Sequence, residues 1–512
     1  MPRGGLARLS GVSLGAALLG CALPVPGYWP LAWVGLAPLI VVVGAAATRR
    51  EAILAGFIAG LAYHGVVLHW IYLTCRFARV PMPVSIIAWA ALSAVLALNW
   101  AAAAALARWL SESAPRALRP WLWALCWTAV AVATERYTPR LAVDLLAYTQ
   151  WPNLSLLQAG SWGGPHLIGF SVILVNAALA EAWLGAPKGF SGVAATLSAA
   201  LALTGGLWAH GARTLLQRPA GMGASARVEI LQPCVEQYRK WDQSFINSIF
   251  SGYDELLARP RPKAPSLVIW PETAIPRWVL RSAAVPEGSR WAKELRAPQL
   301  VGIIAQPEGD GGAANAAQLI APDGKVDGFY AKRELVPFGE FVPLRDMIPR
   351  YVIENWLAVL DQLGDLTAGA PRQPLLLTAW GKTAVTICYE TMFPRWARLD
   401  AERGARLLIN ITNDGWYKDT WGPRQHYRAN QFRAIENRIT VIRAGNTGIS
   451  AVIDPWGVVT AELDLNVRGR LDAEVPLEDH FPMRSFYSRH GDWFGVGALF
   501  LALFAALRRR LR

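Results

Sequence analysis

Charged residues are scarce in this chain. Asp, Glu, Lys and Arg make up 17% of its 512 residues, where soluble domains carry about 25%. A 53% hydrophobic fraction takes up the difference, which points away from a wholly soluble protein. Cysteine is also thin: Cys21, Cys75, Cys126, Cys234 and Cys388 are scattered without a CxxC pair, so neither a disulfide framework nor a zinc site is indicated. The seven histidines lack ligand spacing. His64 and His69 lie five apart, which fits no metal pattern, and no metal is expected. No basic run lies inside a folded segment, so the net charge of +13 does not argue for nucleic acid. The arginines sit mainly beside apolar stretches, where membrane topology accounts for them.

Long apolar runs are what the chain has instead. Residues 6–23 follow a basic start containing Arg3 and Arg8. Leu18-Leu19-Gly20-Cys21 resembles a lipoprotein cleavage box. The apolar sequence resumes after a short Pro-Val-Pro-Gly turn, however, like the second arm of a membrane hairpin, so an uncleaved first span is expected. Stretches at 29–47, 52–73, 84–108, 120–136, 163–184 and 191–209 are each near the ~20 residues that cross a bilayer as a helix. A last one, 493–507, leads into Arg508-Arg509-Arg510. The expectation is eight membrane helices, seven within 1–210 and one within 490–512.

Charge orients them. One side holds Arg3, Arg8, Arg49, Arg50, Arg108, Arg116, Arg119, Lys188 and the C-terminal arginines; the short loops opposite hold only Arg76, Arg79, Arg136 and Arg140. The positive-inside rule then places both termini in the cytoplasm and residues 225–482 outside it, on the periplasmic side of a bacterial inner membrane. The 24 tryptophans suit headgroup depth. The loop 137–162, with Tyr148, Trp151 and Trp162, shares that outer side, either along the headgroup layer or as an aromatic belt.

The region between the seventh and eighth stretches differs in pattern. Short β-branched runs at 227–231, 266–269, 300–304, 384–387, 407–411, 440–443 and 449–453 alternate with helix-like segments such as 241–258 and 425–438. That alternation indicates a layered α/β domain, large enough to bury an ample core.

Three of its runs end in reactive groups. Ser266-Leu267-Val268-Ile269-Trp270-Pro271-Glu272 presents a carboxylate, Gly328-Phe329-Tyr330-Ala331-Lys332 an amine, and Thr383-Ala384-Val385-Thr386-Ile387-Cys388 a thiol. A cysteine attacks as thiolate, so it needs a base or a cationic neighbour. His426 is the histidine of this half with a plausible position, but no Cys/His motif surrounds it. Glu272 as base and Lys332 as cation is the alternative. Alone, a strand cysteine is more often an inert core residue; its neighbours must decide.

Those neighbours form recognisable motifs. Trp270-Pro271-Glu272-Thr273-Ala274, Tyr330-Ala331-Lys332-Arg333-Glu334-Leu335-Val336-Pro337-Phe338-Gly339-Glu340 and Ile387-Cys388-Tyr389-Glu390 resemble the nitrilase superfamily, whose Glu-Lys-Cys triad sits on an αββα sandwich. Three further phrases are Asn413-Asp414-Gly415-Trp416, Arg443-Ala444-Gly445-Asn446-Thr447-Gly448 and Gly27-Tyr28-Trp29-Pro30-Leu31-Ala32-Trp33. Together with the multi-span region they resemble the membrane-fused branch, the apolipoprotein N-acyltransferases.

The resemblance implies that Glu272 is general base and that Cys388 carries the acyl group as a thioester. Lys332 and the Tyr389 N–H would stabilise the oxyanion, and Glu340, a second carboxylate, would help position the triad. Tyr389 and Glu390 would shape the pocket. Asn315 and Trp416 would contact substrate, Trp416 from a mobile loop or else as core packing. The donor would be a phospholipid and the acceptor a lipoprotein whose N-terminal cysteine carries diacylglycerol, with no cofactor, and the chain would act as a monomer. One departure stands out: relatives continue Gln-Gly-Asn where this chain has Gln232-Pro233-Cys234. Proline removes a donor there, which puts polar contacts from that loop in question. Other readings are a membrane-tethered amidase or hydrolase with the same triad, and a non-catalytic lipid-binding scaffold or lipid transporter.

Overall fold

A computed structural model describes residues 3–137, 145–185, 191–219, 223–237, 239–309, 311–347, 349–351, 365–477 and 484–511. The chain divides into two units: Met1–Arg218 with Ser485–Arg512, and Pro219–Arg484.

The first unit is helical. Among the described residues, Met82–Ser111 and Gly160–Gly185 are long and apolar enough to cross a bilayer. Arg49–Val67 and His69–Phe77, bent by 45° at Leu68, add a third if they form one span. The expected count of eight is not reached by length and composition. The stretch 52–73 is broken at that bend, and 29–47 is split into a 3₁₀ turn, Trp29–Trp33, and a short helix, Ala37–Gly44. Residues 138–144 of the loop 137–162 lie outside the described set. Within the rest, Tyr148 is buried, whereas Trp162 is half exposed and donates to His210 Nε2 (3.2 Å).

Small residues allow close helix packing. Gly56 and Gly60 on Arg49–Val67 face Met82–Ser111; a Cβ on Gly60 would lie 2.8 Å from Ala97 Cα, and one on Gly56 2.8 Å from Ala104 Cβ. Four-residue spacing of glycines lets backbones approach where lipid offers no hydrophobic drive. Gly60→Val is therefore expected to lower stability by about 1–3 kcal/mol, read as a lower thermal midpoint in detergent. Gly205→Val, where nothing lies within 4 Å, is the matched control and should shift it little. Asn176 adds a polar tie: its Oδ1 accepts from Leu36 N (2.9 Å) and its Nδ2 donates to Ala32 O (2.8 Å).

The described strands of the second unit form two mixed sheets, one of seven strands and one of six. The first holds β1 (Ser225–Gln232), β2 (Leu267–Ile269), β3 (Trp278–Leu280), β4 (Gln299–Gln306), β5 (Ala314–Ile320), β6 (Val326–Ala331) and β13 (Gly469–Pro476) in the order β13-β1-β2-β4-β5-β6, with β3 beside β4. The second holds β7 (Leu376–Thr378), β8 (Gly381–Ile387), β9 (Leu407–Thr412), β10 (Thr440–Gly445), β11 (Ser450–Ile453) and β12 (Val459–Leu463) in reverse sequence order. β1, β2 and β4 run parallel, as do β8, β9 and β10.

Each sheet carries helices on one face. Tyr253 and Leu256 of Ile246–Leu257 and Trp291 of Pro286–Leu295 pack with Trp270, Val301 and Ile303. Ala397 of Pro394–Glu402, with Tyr427 and Ala434 of Trp421–Asn437, packs with Ala384, Leu408 and Val441. The sheets meet through their other faces, where Trp380 Nε1 donates to Val475 O (3.2 Å) and Ser450 Oγ to Gln232 Oε1 (2.6 Å). The result is a helix–sheet–sheet–helix sandwich. Burial on both faces explains why its strands read as continuous apolar runs rather than alternating ones.

Topology gathers the reactive groups. β2, β8 and β9 lead at their carboxyl ends to Glu272, Cys388 and Asn413. β6 is antiparallel to β5, itself antiparallel to β4, so Lys332 leaves its sheet in the same direction as Glu272. Carboxyl ends of parallel strands are where open α/β sheets bind ligands.

Candidate active site

Glu272, three residues past β2, is held from several sides. Its Oε2 accepts from Asn413 N (2.8 Å), its Oε1 from Asn315 Nδ2 (2.7 Å), and Lys332 Nζ lies 3.4 Å from the same Oε1. The neighbouring strand makes room for it: a Cβ on Gly302 of β4 would overlap Pro271 O and lie 2.8 Å from Glu272 Cα. Gly302→Ala is therefore expected to displace Glu272 and lower kcat by ~10²-fold, the usual scale for an ångström-sized misplacement, in a steady-state acyl-transfer assay.

Lys332 directly follows β6 and is 1% exposed. Its Nζ donates to Glu340 Oε1 at 2.8 Å, closer than to Glu272. Burial by itself would lower the ammonium, but Glu340, Glu272 and Cys388 outweigh it and hold Lys332 above its ordinary range. Glu340 is fixed in turn by Val336 N (2.8 Å) and Asn315 Nδ2 (2.7 Å). It is thus part of the buried network rather than a surface turn residue.

Cys388 opens a 3₁₀ turn, Cys388–Met392, in the left-handed region (φ +52°), and is 5% exposed. Burial raises its thiol, Glu272 raises it further, and Lys332 and a hydrogen bond with Thr412 pull the other way. Its main charged neighbours are the carboxyl of Glu272 and the ammonium of Lys332. Such an arrangement can pass a proton from sulfur to carboxylate and hold negative charge beside the ammonium.

Two family models match the chain. The apolipoprotein N-acyltransferase N-terminal domain covers residues 15–178, and the carbon-nitrogen hydrolase family covers 236–484. The apolipoprotein N-acyltransferase of Geobacter metallireducens is 33% identical over 99% of this chain and 96% of its own length. The chain belongs to the apolipoprotein N-acyltransferase family. Proteins of the same name from Gloeobacter violaceus and Azotobacter vinelandii are 30% and 32% identical over 97% and 94% of this chain, and over 93% and 91% of their own lengths. The second unit accordingly carries the nitrilase-like fold of carbon-nitrogen hydrolases.

The remaining expected site residues of this family member lie in three different settings. Tyr389 is buried and meets Phe393 edge-on, with centroids 4.9 Å apart. Glu390 does not open onto a pocket. It is fully buried, and its carboxylate accepts from the backbone of Ile387 and Arg333 (each 2.6 Å) and from Tyr330 Oη (2.8 Å). It thereby ties the Cys388 turn to the end of β6. Asn315 is likewise an internal bridge, its amide nitrogen shared between the Glu272 and Glu340 carboxylates, which removes that donor from substrate contact. Trp416 is half-buried in the turn Asp414–Trp416.

Other contributors escape a reading of the strands. Lys240 Nζ donates to Glu272 O (3.0 Å); burial lowers its ammonium to about 8, opposed by Glu272. Asn413 donates its side-chain amide to Gln237 (2.5 Å) and accepts from Asn446 (2.9 Å). Burial raises the Tyr417 hydroxyl well above its usual range, with Cys388 the next cause. The Pro233-Cys234 loop keeps its polar anchorage despite the proline, because Cys234 N donates to Asn446 O and Val235 N to Asn446 Oδ1 (each 3.0 Å). His426 reaches Cys388 at its backbone carbonyl (2.9 Å), a contact unlike the histidine–sulfur pairing of papain-like chemistry. The Asn413–Trp416 and Arg443–Gly448 phrases, the Gln232-Pro233-Cys234 departure and His426 stood out in the sequence; Lys240, a lone lysine in a polar loop, carries no such signal.

Proposed function

We propose that the chain transfers a fatty acyl group from a membrane phospholipid to the N-terminal amine of a diacylglyceryl-cysteine on apolipoproteins, by a ping-pong route through a Cys388 thioester. The observation that carries it is the buried cluster of Glu272, Lys332 and Cys388 in a chain whose full-length relatives bear that name.

Glu272 takes the thiol proton as Cys388 sulfur attacks the ester carbonyl. Negative charge on the carbonyl oxygen is held by Lys332 and the Tyr389 N–H, and one such donor is typically worth about 3–4 kcal/mol. Collapse breaks the ester C–O bond, and the lysophospholipid oxygen leaves with the proton held by Glu272. The acceptor amine then attacks the thioester and gives its proton to Glu272, which returns it to the departing thiolate. Proton transfer of this kind contributes typically ~10²–10⁴-fold. Glu340 and Asn315 keep the two charged groups in register. Burial of Cys388 supports exclusion of competing water.

The arginine distribution supports eight spans, seven within 1–210 and one within 490–512, with a catalytic domain at 225–482 on the periplasmic side of the inner membrane and both termini cytoplasmic. The chain would act there as a monomer.

The test supplies phospholipid vesicles with and without a diacylglyceryl-cysteine peptide. Lysophospholipid release that depends on the peptide amine supports transfer. Release at the same rate with water alone, yielding free fatty acid, would identify a hydrolase instead.

A further inference from the structure

We propose that His426 is a positioning residue for this site, which holds and polarises the Cys388–Tyr389 peptide unit whose N–H serves the oxyanion. The inference rests on the acyl-transfer reading above and extends it to a residue outside the triad.

His426 is buried on the helix Trp421–Asn437, and its Nε2 lies 2.9 Å from Cys388 O. A carbonyl oxygen only accepts, so Nε2 must carry hydrogen whatever the state of Nδ1. Nε2 is therefore a donor to the backbone and not a base for the thiol. Behind the ring, Nδ1 lies 3.0 Å from Asp414 Oδ1 and 3.1 Å from Arg443 Nη2; protonated, it donates to the carboxylate, and unprotonated, it accepts from the guanidinium. Arg443 also donates to Asp414 Oδ2 (2.8 Å) and Ile449 O (2.6 Å). Burial by itself would raise the Asp414 carboxyl, but Arg443 and His426 hold it well below the usual carboxylate range. An anchored carboxylate–imidazole pair thus ends on one carbonyl.

That carbonyl and the Tyr389 N–H belong to the same planar unit. A hydrogen bond to C=O draws electron density through the amide and makes its N–H a better donor, by ~10–30% per bond. Asn410 Nδ2 offers the carbonyl a second, longer contact (3.3 Å). The effect reaches the reaction where charge develops on oxygen and leaves sulfur's own reactivity alone.

The experiment compares two reactions of Cys388 in the full-length protein in detergent micelles. One is acyl transfer from phospholipid to a diacylglyceryl peptide; the other is alkylation by iodoacetamide, which forms no oxyanion. His426→Leu should lower kcat for transfer by ~10–100-fold, below the ~10²–10³ for complete loss of an oxyanion donor. KM should stay within about twofold and alkylation within about threefold, because neither depends on that donor. His426→Gln, which keeps an N–H, should recover part of the loss, and Asp414→Asn should fall between. If the leucine variant does not fold, the glutamine and Asp414→Asn variants carry the comparison. Equal loss of transfer and alkylation would reduce His426 to a support of the turn and overturn the proposal, as would unchanged transfer. Wild-type protein that alkylates but never transfers would sink the acyl-transfer reading itself, and this inference with it.

Discussion

Cys388→Ala is expected to abolish acyl transfer, by a factor on the order of 10⁴ or more, while leaving the thermal midpoint nearly unchanged. Alanine keeps the Cβ, so the left-handed backbone at φ +52° is no more strained than before. The side chain loses one buried sulfur and its bond with Thr412. What disappears is the only atom of the cluster able to form a thioester. Cys388→Ser is expected to be almost as inactive, because an alkoxide is far harder to generate than a thiolate and Glu272 is a weak base for it. A paired assay and melting curve checks this. Activity within tenfold of wild type in either variant would remove Cys388 from the mechanism.

Lys332→Met is expected to fail on both counts. It removes the cation proposed to stabilise the oxyanion and leaves Glu272 and Glu340, which flank Nζ at 3.4 and 2.8 Å, as buried carboxylates without their ammonium. Breaking a buried ion pair from one side costs about 3–5 kcal/mol, so the variant should melt well below wild type as well as lose turnover. The two effects can be separated. Lys332→Met combined with Glu340→Gln removes one of the stranded charges and should recover part of the stability, because the residues share a network and are non-additive. Activity should not return. If the double variant regained turnover along with its midpoint, Lys332 would be a structural counter-ion only.

The contrast between these variants mirrors what could be read from the chain alone. The strand endings were legible because a β-branched run buried on both faces looks the same in sequence as in the sandwich, and a polar residue at its end has nowhere to go but the sheet edge. That reading put Glu272, Lys332 and Cys388 each at the end of a run, and the resemblance of the surrounding motifs to the nitrilase superfamily grouped them. It could not tell which way a side chain turns after the edge. Glu390 lies two residues after Cys388 yet bonds backwards to Ile387 and Arg333, and Asn315 points at two carboxylates rather than outward. Lys240 meets Glu272 at its backbone carbonyl, Asn413 reaches Glu272 from the other sheet, and His426 meets Cys388 across 38 residues; no strand pattern signals such contacts. By length and composition the described helices fall short of eight spans for a related reason. Hydropathy sums over 52–73 do not register the bend at Leu68, and the short helix Ala37–Gly44 depends on Asn176 more than a hundred residues away.

The most direct measurement is intact and peptide mass spectrometry of the purified full-length protein after incubation with phospholipid alone. The account predicts one fatty acyl group on Cys388, labile to hydroxylamine, and discharged onto a diacylglyceryl-cysteine peptide when it is added. Lysophospholipid release with no acyl adduct at Cys388, or an adduct that the peptide does not remove, would contradict it.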